Sequence, residues 1–190
     1  MKMIKHTIVA LVENKPGVLN RIASKWRQRG FNIESLAVGH SEIPGLSRMT
    51  FVVDGASTDV EQVTKQLYKV IEVVKIADLT EEPMVTRELA LIKVSASHAD
   101  RSAIIMVADI FRADIVDVSQ ECVIVEVTGV EEKIDAMIEM LRPYGIRELV
   151  RTGCVAMSRG AAATVDGAEE VKAVRFRPAG EGKPRVGSLL

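Results

Sequence analysis

The feature that most constrains the fold of this chain is an order of elements that occurs twice. Apolar residues alternate or run together where strands are expected, and recur at helical spacing where helices are expected. In the first half, strands are predicted at residues 5–12, 31–38, 46–53 and 73–77, with helices at residues 18–26 and 58–71. The order is strand, helix, strand, strand, helix, strand.

The second half repeats this order. Strands are predicted at residues 89–94, 115–118 and 122–127, with one or two more in residues 146–157. The helices are marked by apolar residues at helical spacing. They are, in the first domain, Val18, Leu19, Ile22, Ala23 and Trp26, then Val60, Val63, Leu67, Val70 and Ile71 after a possible capping box of Thr58 and Glu61; and, in the second, Ile104, Val107, Ala108 and Phe111, then Val130, Ile134, Met137, Ile138 and Leu141.

Two copies of this order predict an α+β protein with two ferredoxin-like βαββαβ domains, each a four-stranded antiparallel sheet covered by two helices on one face. We place the domains at residues 4–78 and 87–159, with an acidic linker at 79–86. Because the other face of such a sheet is bare, we expect a homodimer through continued sheets or packed helices. The tail, residues 160–190, is rich in Gly and Pro and is expected to be flexible; its residues 171–177 alternate enough for an edge strand.

Composition excludes several classes of function. With 25 basic and 26 acidic residues the net charge is -1, which gives no general attraction to nucleic acid or an anionic membrane. Cys122 and Cys154 lie in apolar runs without metal-binding spacing, so we expect two buried thiols in a reducing compartment. The apolar run at the start is too short for a signal peptide or a membrane span, which predicts a cytoplasmic protein.

A short turn at residues 13–19, Glu-Asn-Lys-Pro-Gly-Val-Leu, predicts an anion-binding helix start. Lys15 precedes a proline and is biased away from helical torsions, whereas Pro16 suits the first turn of a helix. The main-chain amides of Gly17, Val18 and Leu19 could then face a small carboxylate.

The electrostatic field at the start of a helix contributes only about 0.3–1 kcal/mol to the binding of an anion at an exposed site, so a ligand needs further contacts for useful affinity. Burial of a branched side chain adds about 1.5–3 kcal/mol, and each hydrogen bond from an ammonium group adds about 1.5–3 kcal/mol. Asn14 and Asn32 offer the amide oxygens for such bonds. Both also suit local roles, Asn14 as a helix cap and Asn32 as a turn residue.

Four segments carry a resemblance to a known family: residues 13–19, residues 29–36 (Arg-Gly-Phe-Asn-Ile-Glu-Ser-Leu), residues 46–50 (Leu-Ser-Arg-Met-Thr) and residues 151–160 (Arg-Thr-Gly-Cys-Val-Ala-Met-Ser-Arg-Gly). In order and spacing they resemble the ACT-domain family, and within it the small regulatory subunits of acetohydroxyacid synthase, also called acetolactate synthase. The resemblance covers about residues 4–160, and the tail runs beyond where this family usually stops.

The resemblance implies a subunit without its own active site, which dimerises through its first domain and binds valine or a related branched-chain amino acid. Carried over by motif, Asn14, Gly17 and Val18 come from one subunit and Asn32 and Ile33 from the facing one. Such subunits activate the catalytic subunit and confer feedback inhibition on it. The thiamine diphosphate, magnesium ion and FAD belong to that partner, which condenses pyruvate with a second 2-keto acid.

Functions of other classes fit the sequence less well. His6, His40 and His98 are scattered without a nearby nucleophile or metal spacing and suit surface or strand-end positions. An acylphosphatase-like enzyme needs an arginine in the anion-holding turn, where this chain has only Lys15. An RNA-binding module needs stacking aromatics on the central strands, and the third strand offers only Phe51. An ACT-type amino-acid sensor serving another enzyme remains an alternative.

Overall fold

The structure, a computed structural model, describes residues 5–28, 30, 32–54 and 60–161. The first domain begins with a nine-residue strand and contains four strands and two helices in the predicted order. Thr58 of the possible capping box and the tail beyond residue 161 lie outside the described residues. The elements are β1 (Lys5–Glu13), α1 (Val18–Arg27), β2 (Ile33–His40), β3 (Leu46–Asp54), α2 (Val60–Leu67) and β4 (Val73–Asp78).

The second domain repeats the order and adds a short final strand. Its first strand begins at Met84, whereas the sequence predicts a start at Leu89. No helix in the described part of the chain is long and apolar enough to cross a membrane. The elements are β5 (Met84–Ser95), α3 (Arg101–Ile110), β6 (Asp114–Val118), β7 (Cys122–Gly129), α4 (Glu131–Leu141), a 3-10 turn (Arg142–Tyr144), β8 (Ile146–Arg151) and β9 (Val155–Ser158).

Both sheets are antiparallel and have the ferredoxin-like strand order. It is β2-β3-β1-β4 in the first domain and β6-β7-β5-β8 in the second, so the predicted fold class is confirmed. Each pair of helices packs on one face of its sheet over a separate apolar core. In the first core the rings of Trp26 and Phe51 lie 4.5 Å apart, which joins the end of α1 to the middle of β3.

Some predictions about single side chains are wrong. Leu19 and Ile71 do not face the core and are 42% and 84% exposed. The reason for Ile71 is that α2 ends at Leu67, so the helical spacing no longer applies. Pro16 lies in the turn before α1, which begins at Val18. The two thiols are half-buried rather than buried, since Cys122 begins β7 after an exposed turn and Cys154 lies in the loop between β8 and β9.

The second face of the first sheet is covered within the chain, so the expectation of a bare face is wrong. The strand β9 pairs with residues 84–87 at the start of β5 and lies over this face. There Ala156 packs in one apolar cluster with Val9 and Leu11, whose exposed fractions are 0% and 2%. A long-range pairing of this kind carries no local sequence signal. Among the described strands of the first domain, β2 and β4 lie at the edges of the sheet and each has a strand partner on one side only.

Candidate functional site

The turn before α1 has the geometry of an open helix start. Gly17 is the N-cap residue of α1 and has φ +85°, a left-handed conformation in which glycine is favoured. No atom lies within 4 Å of where a Cβ of Gly17 would stand. The space above this glycine is therefore free, and a ligand could approach the main chain closely.

The amides of this turn are only partly used by the protein. The N–H of Val18 points at the carbonyl oxygen of Lys15 at 3.4 Å, which is long for a hydrogen bond. The N–H groups of Gly17 and Leu19 have no acceptor among the residues that the structure describes. Gly17 and Leu19 are both exposed residues, so these two donors at the positive end of the helix are open to a ligand, an arrangement that suits a carboxylate.

Asn14 lies beside the C-terminal end of the strand β2. Its main-chain N–H donates to the carbonyl oxygen of Gly45 at 2.8 Å. Its side-chain amide lies 3.4 Å from Nδ1 of His40, the last residue of β2. Asn14 does not cap α1, since no side chain bonds to the helix start. Its side chain is exposed and its amide oxygen can accept a hydrogen bond.

Asn32 stands at the opposite end of the same strand. It precedes Ile33, the first residue of β2, and its amide donates to the Glu34 carboxylate at 2.8 Å. Since β2 has eight residues at about 3.3 Å each, Asn32 and Asn14 lie about 25 Å apart in one chain. Ile33 is half-buried against the first core. One chain therefore does not bring the predicted residues together, and their role stays a prediction.

The strand between these two residues is a free edge. β2 pairs only with β3, and the backbone groups on its other side have no strand partner among the described residues. An antiparallel two-fold pairing of this edge with a second copy would set the start of one β2 beside the end of the other. Asn32 of one copy would then lie near Asn14 of the next, at two equivalent places.

The sequence did not predict a junction that joins β2 to the second domain. The N–H of Cys154 donates to Ser35 Oγ at 2.8 Å. Gly153, with φ +80°, lies so close that a Cβ would stand 2.8 Å from Ser35 Oγ and 3.1 Å from the carbonyl oxygen of Leu36. Here the register of β2 on β3 shifts between Ile33 and Ser35. The one sequence signal for this junction is the glycine of the Thr-Gly-Cys segment, because glycine is favoured where φ is positive.

Charged side chains add to this junction. Lys5 Nζ lies 2.6 Å from a Glu131 carboxylate oxygen, and this hydrogen bond raises the pKa of Lys5. Arg151 bonds to the buried Glu88 carboxylate at 2.6 and 2.8 Å, which raises the pKa of the guanidinium. Burial raises the pKa of the Cys154 thiol. A cavity of about 610 Å³ lies beside these groups, and its best-buried charges pair with one another.

Comparison with known proteins assigns both domains. Residues 8–75 match the family model described as the AHAS small subunit-like ACT domain. Residues 87–160 match the model described as the small subunit of acetolactate synthase.

Whole-chain relatives agree with these matches. The chain is 57% identical over 157 residues to the probable acetolactate synthase small subunit of Archaeoglobus fulgidus, covering 83% of this chain and 98% of that protein. It is 50% identical over 158 residues to the acetolactate synthase small subunit of Bacillus subtilis, covering 83% and 92%. The crystal structure of the small subunit from Thermotoga maritima superposes with a TM-score of 0.77 at 45% identity, covering 83% of this chain and 99% of that one.

Proposed function

The chain belongs to the family of acetolactate synthase small subunits, and on that premise we propose that it is a regulatory subunit that binds a branched-chain amino acid. Two copies join through their first domains and hold valine or a close analogue between them. The assembled subunit activates the catalytic subunit, and the bound amino acid confers feedback inhibition. The chain itself contributes no active site, and the complex acts in the cytoplasm.

The position of the effector residues along β2 supports this proposal most directly. Asn14 lies beside His40 at one end of a free edge strand, and Asn32 precedes the other end. Antiparallel pairing of two such strands is the arrangement that joins these residues across a two-fold axis. It yields two identical sites, each with one helix start and one facing strand.

The chemistry of these groups fits a branched-chain amino acid. The N–H groups of Gly17 and Leu19 donate hydrogen bonds to its carboxylate, and the amide oxygens of Asn14 and the facing Asn32 accept hydrogen bonds from its ammonium group. Val38, near the end of β2, is 49% exposed and offers an apolar contact to the branched side chain. Together these contacts can supply roughly 4–8 kcal/mol, the range of millimolar to micromolar affinity.

A ligand between two subunits can regulate a third. It favours whichever dimer arrangement it binds more tightly, and a difference of about 1–3 kcal/mol changes activity several-fold or more. The empty site permits the activating arrangement and the filled site favours a less active complex.

The chemical step belongs to the catalytic partner. Thiamine diphosphate, magnesium and FAD, which the family implies, support the condensation of pyruvate with a second 2-keto acid there. The described residues of this chain contain no cluster of three or more His, Cys, Asp or Glu side chains that could hold a metal ion.

Calorimetric titration tests the effector site. The purified protein is titrated with valine, isoleucine, leucine and an unrelated amino acid, and the titrations are repeated with Asn14→Ala and Asn32→Ala. Gln120→Ala, which changes an exposed amide side chain in the second domain, is the control. We expect saturable branched-chain binding that both Asn variants weaken at least tenfold and the control does not. Unchanged binding and unchanged inhibition in both variants would contradict the proposal, and binding without any effect on acetolactate synthase would favour a sensor for another enzyme.

A further inference from the structure

A groove crosses the helix layer of the first domain, between α1 and the turn that follows α2. It has a volume of about 320 Å³, and its floor includes Val70. At its rim stands Ile71, which is 84% exposed, the largest value among the exposed large apolar residues of the described chain. Burial of this side chain against a partner would contribute about 1.5–3 kcal/mol to binding. The groove is lined by Asn20, Arg21, Ser24, Lys25, Lys69, Val70, Ile71 and Glu72.

The groove has basic side chains at its rim and one buried acidic side chain. α1 contains Arg21, Lys25 and Arg27 and no acidic residue. Lys25 and Lys69 form no ion pair with the described residues. Glu72 is the one acid of the lining; its side chain is 9% exposed, and one of its oxygens accepts from Arg21.

The second oxygen of Glu72 is buried and has no partner among the described residues. Because this oxygen exposes almost no surface, an occupant of the groove does not reach it. The rim of the groove favours an occupant with two properties: an apolar side chain that covers Ile71, and acidic groups that face Lys25 and Lys69.

The groove is connected to the effector turn through the main chain. The N–H of Glu13, the residue before Asn14, donates to the carbonyl oxygen of Glu72 at 2.9 Å. The N–H of Arg21 donates to the carbonyl oxygen of Gly17 at 3.0 Å. A displacement of the turn by a bound amino acid would therefore be transmitted directly to two residues that line the groove.

We infer that this groove is the docking surface for the catalytic subunit, which inserts an apolar side chain flanked by Asp or Glu residues. The inference rests on the proposed function, since the partner is the one that function requires. A nucleic acid is a poorer occupant, because the Glu72 carboxylate opposes phosphate and Ile71 offers no stacking surface. A second copy of this chain is also a poorer occupant, because the free edge of β2 provides for that contact.

A matched pair of substitutions tests the inference. Ile71→Glu changes the rim of the groove, and Ile110→Glu changes an isoleucine that is 69% exposed on α3. The affinity of each full-length variant for the catalytic subunit is measured by calorimetry, and activation is measured by titration of that subunit. We expect Ile71→Glu to weaken binding roughly 10- to 100-fold, because it places a charge where the partner's apolar side chain would pack, and Ile110→Glu to change it less than threefold. Far-UV circular dichroism and the urea midpoint of the isolated variants serve as the folding controls.

A charge variant gives a second readout. Lys25→Glu with Lys69→Glu should weaken binding, and the remaining affinity should depend less on salt than that of the unmodified protein. If the unmodified protein neither binds nor activates a catalytic subunit, the proposed function fails and the groove assignment fails with it. If it does bind, and Ile71→Glu binds as tightly or Ile110→Glu loses as much affinity, only the groove assignment is overturned. Binding of RNA that competes with the catalytic subunit would also overturn it.

Discussion

From the contact between Gly153 and β2 we predict how much the junction between the two domains contributes to the free energy of unfolding. Gly153→Ala adds a Cβ at a residue with φ +80°, for which an L-residue costs about 1–2 kcal/mol. That Cβ would also stand 2.8 Å from Ser35 Oγ and 3.1 Å from a main-chain oxygen of Leu36. The serine must move, which breaks the hydrogen bond from the Cys154 N–H and costs about 0.5–1.5 kcal/mol.

The total expected cost of Gly153→Ala is about 1.5–3.5 kcal/mol, and Gly45→Ala separates its two parts. Gly45 has φ +81° but nothing within 4 Å of its Cβ position, so only the backbone cost of about 1–2 kcal/mol applies. The free energy of unfolding is measured by urea denaturation for both variants. Hydrogen exchange of the Cys154 amide gives the local readout, because this N–H is the one that loses its acceptor.

We expect Gly153→Ala to cost about 0.5–1.5 kcal/mol more than Gly45→Ala, and the Cys154 amide to exchange about 2- to 13-fold faster only in the former. Ser35→Ala should be less harmful in the Gly153→Ala background than alone, since it removes the nearest clashing atom. Equal costs for the two glycine variants, with unchanged exchange at Cys154, would refute the reasoning.

Three further predictions concern the dimer edge and the domain junction. Val38→Lys changes the free edge of β2 and should convert the dimer to a monomer in sedimentation velocity. The control Val116→Lys changes a similarly exposed valine of the edge strand β6 and should leave the dimer intact. A dimer in both cases would contradict edge pairing. The hydrogen bond between Lys5 and Glu131 raises the pKa of Lys5 above 10.5, so this ion pair should stabilise the folded protein below that pH. The stabilisation of roughly 0.2–1 kcal/mol should be lost as the pH rises further. In urea titrations, Glu131→Gln should abolish this dependence of stability on pH. Burial raises the pKa of the Cys154 thiol, so iodoacetamide at pH 8 should label it several-fold more slowly in the native protein than in urea, as read by mass spectrometry; equal rates would show that the thiol is not shielded.

Periodicity predicted the repeated element order because the apolar residues of each element face a local core. The spacing of Ile134, Met137, Ile138 and Leu141, for example, follows α4, and all four are buried. The same spacing fails for Ile71, because the sequence does not mark where α2 ends before it. A residue left exposed for a partner has the same sequence pattern as one facing the core.

Contacts between distant segments escaped prediction. The cover of β9 over the first sheet and the bond from Cys154 to Ser35 join residues more than a hundred positions apart. The candidate site also combines distant residues. The motif resemblance identified Asn14 and Asn32 as ligand-binding residues, but periodicity could not predict where the two lie relative to each other. Only the structure shows that they occupy opposite ends of one edge strand. That separation is what makes a second chain necessary for the proposed site.

Mixing two inactive variants tests the shared effector site most directly. Asn14→Ala and Asn32→Ala are each expected to lose both sites of their own homodimer. After equal amounts are unfolded together, refolded and titrated with valine, a heterodimer should contain one site with both asparagines and one with neither. With random pairing, about one quarter of the normal number of valine sites per chain should return at normal affinity. If mixing restores no sites, or if either variant alone binds valine normally, the site is not built from two facing chains and the central claim is contradicted.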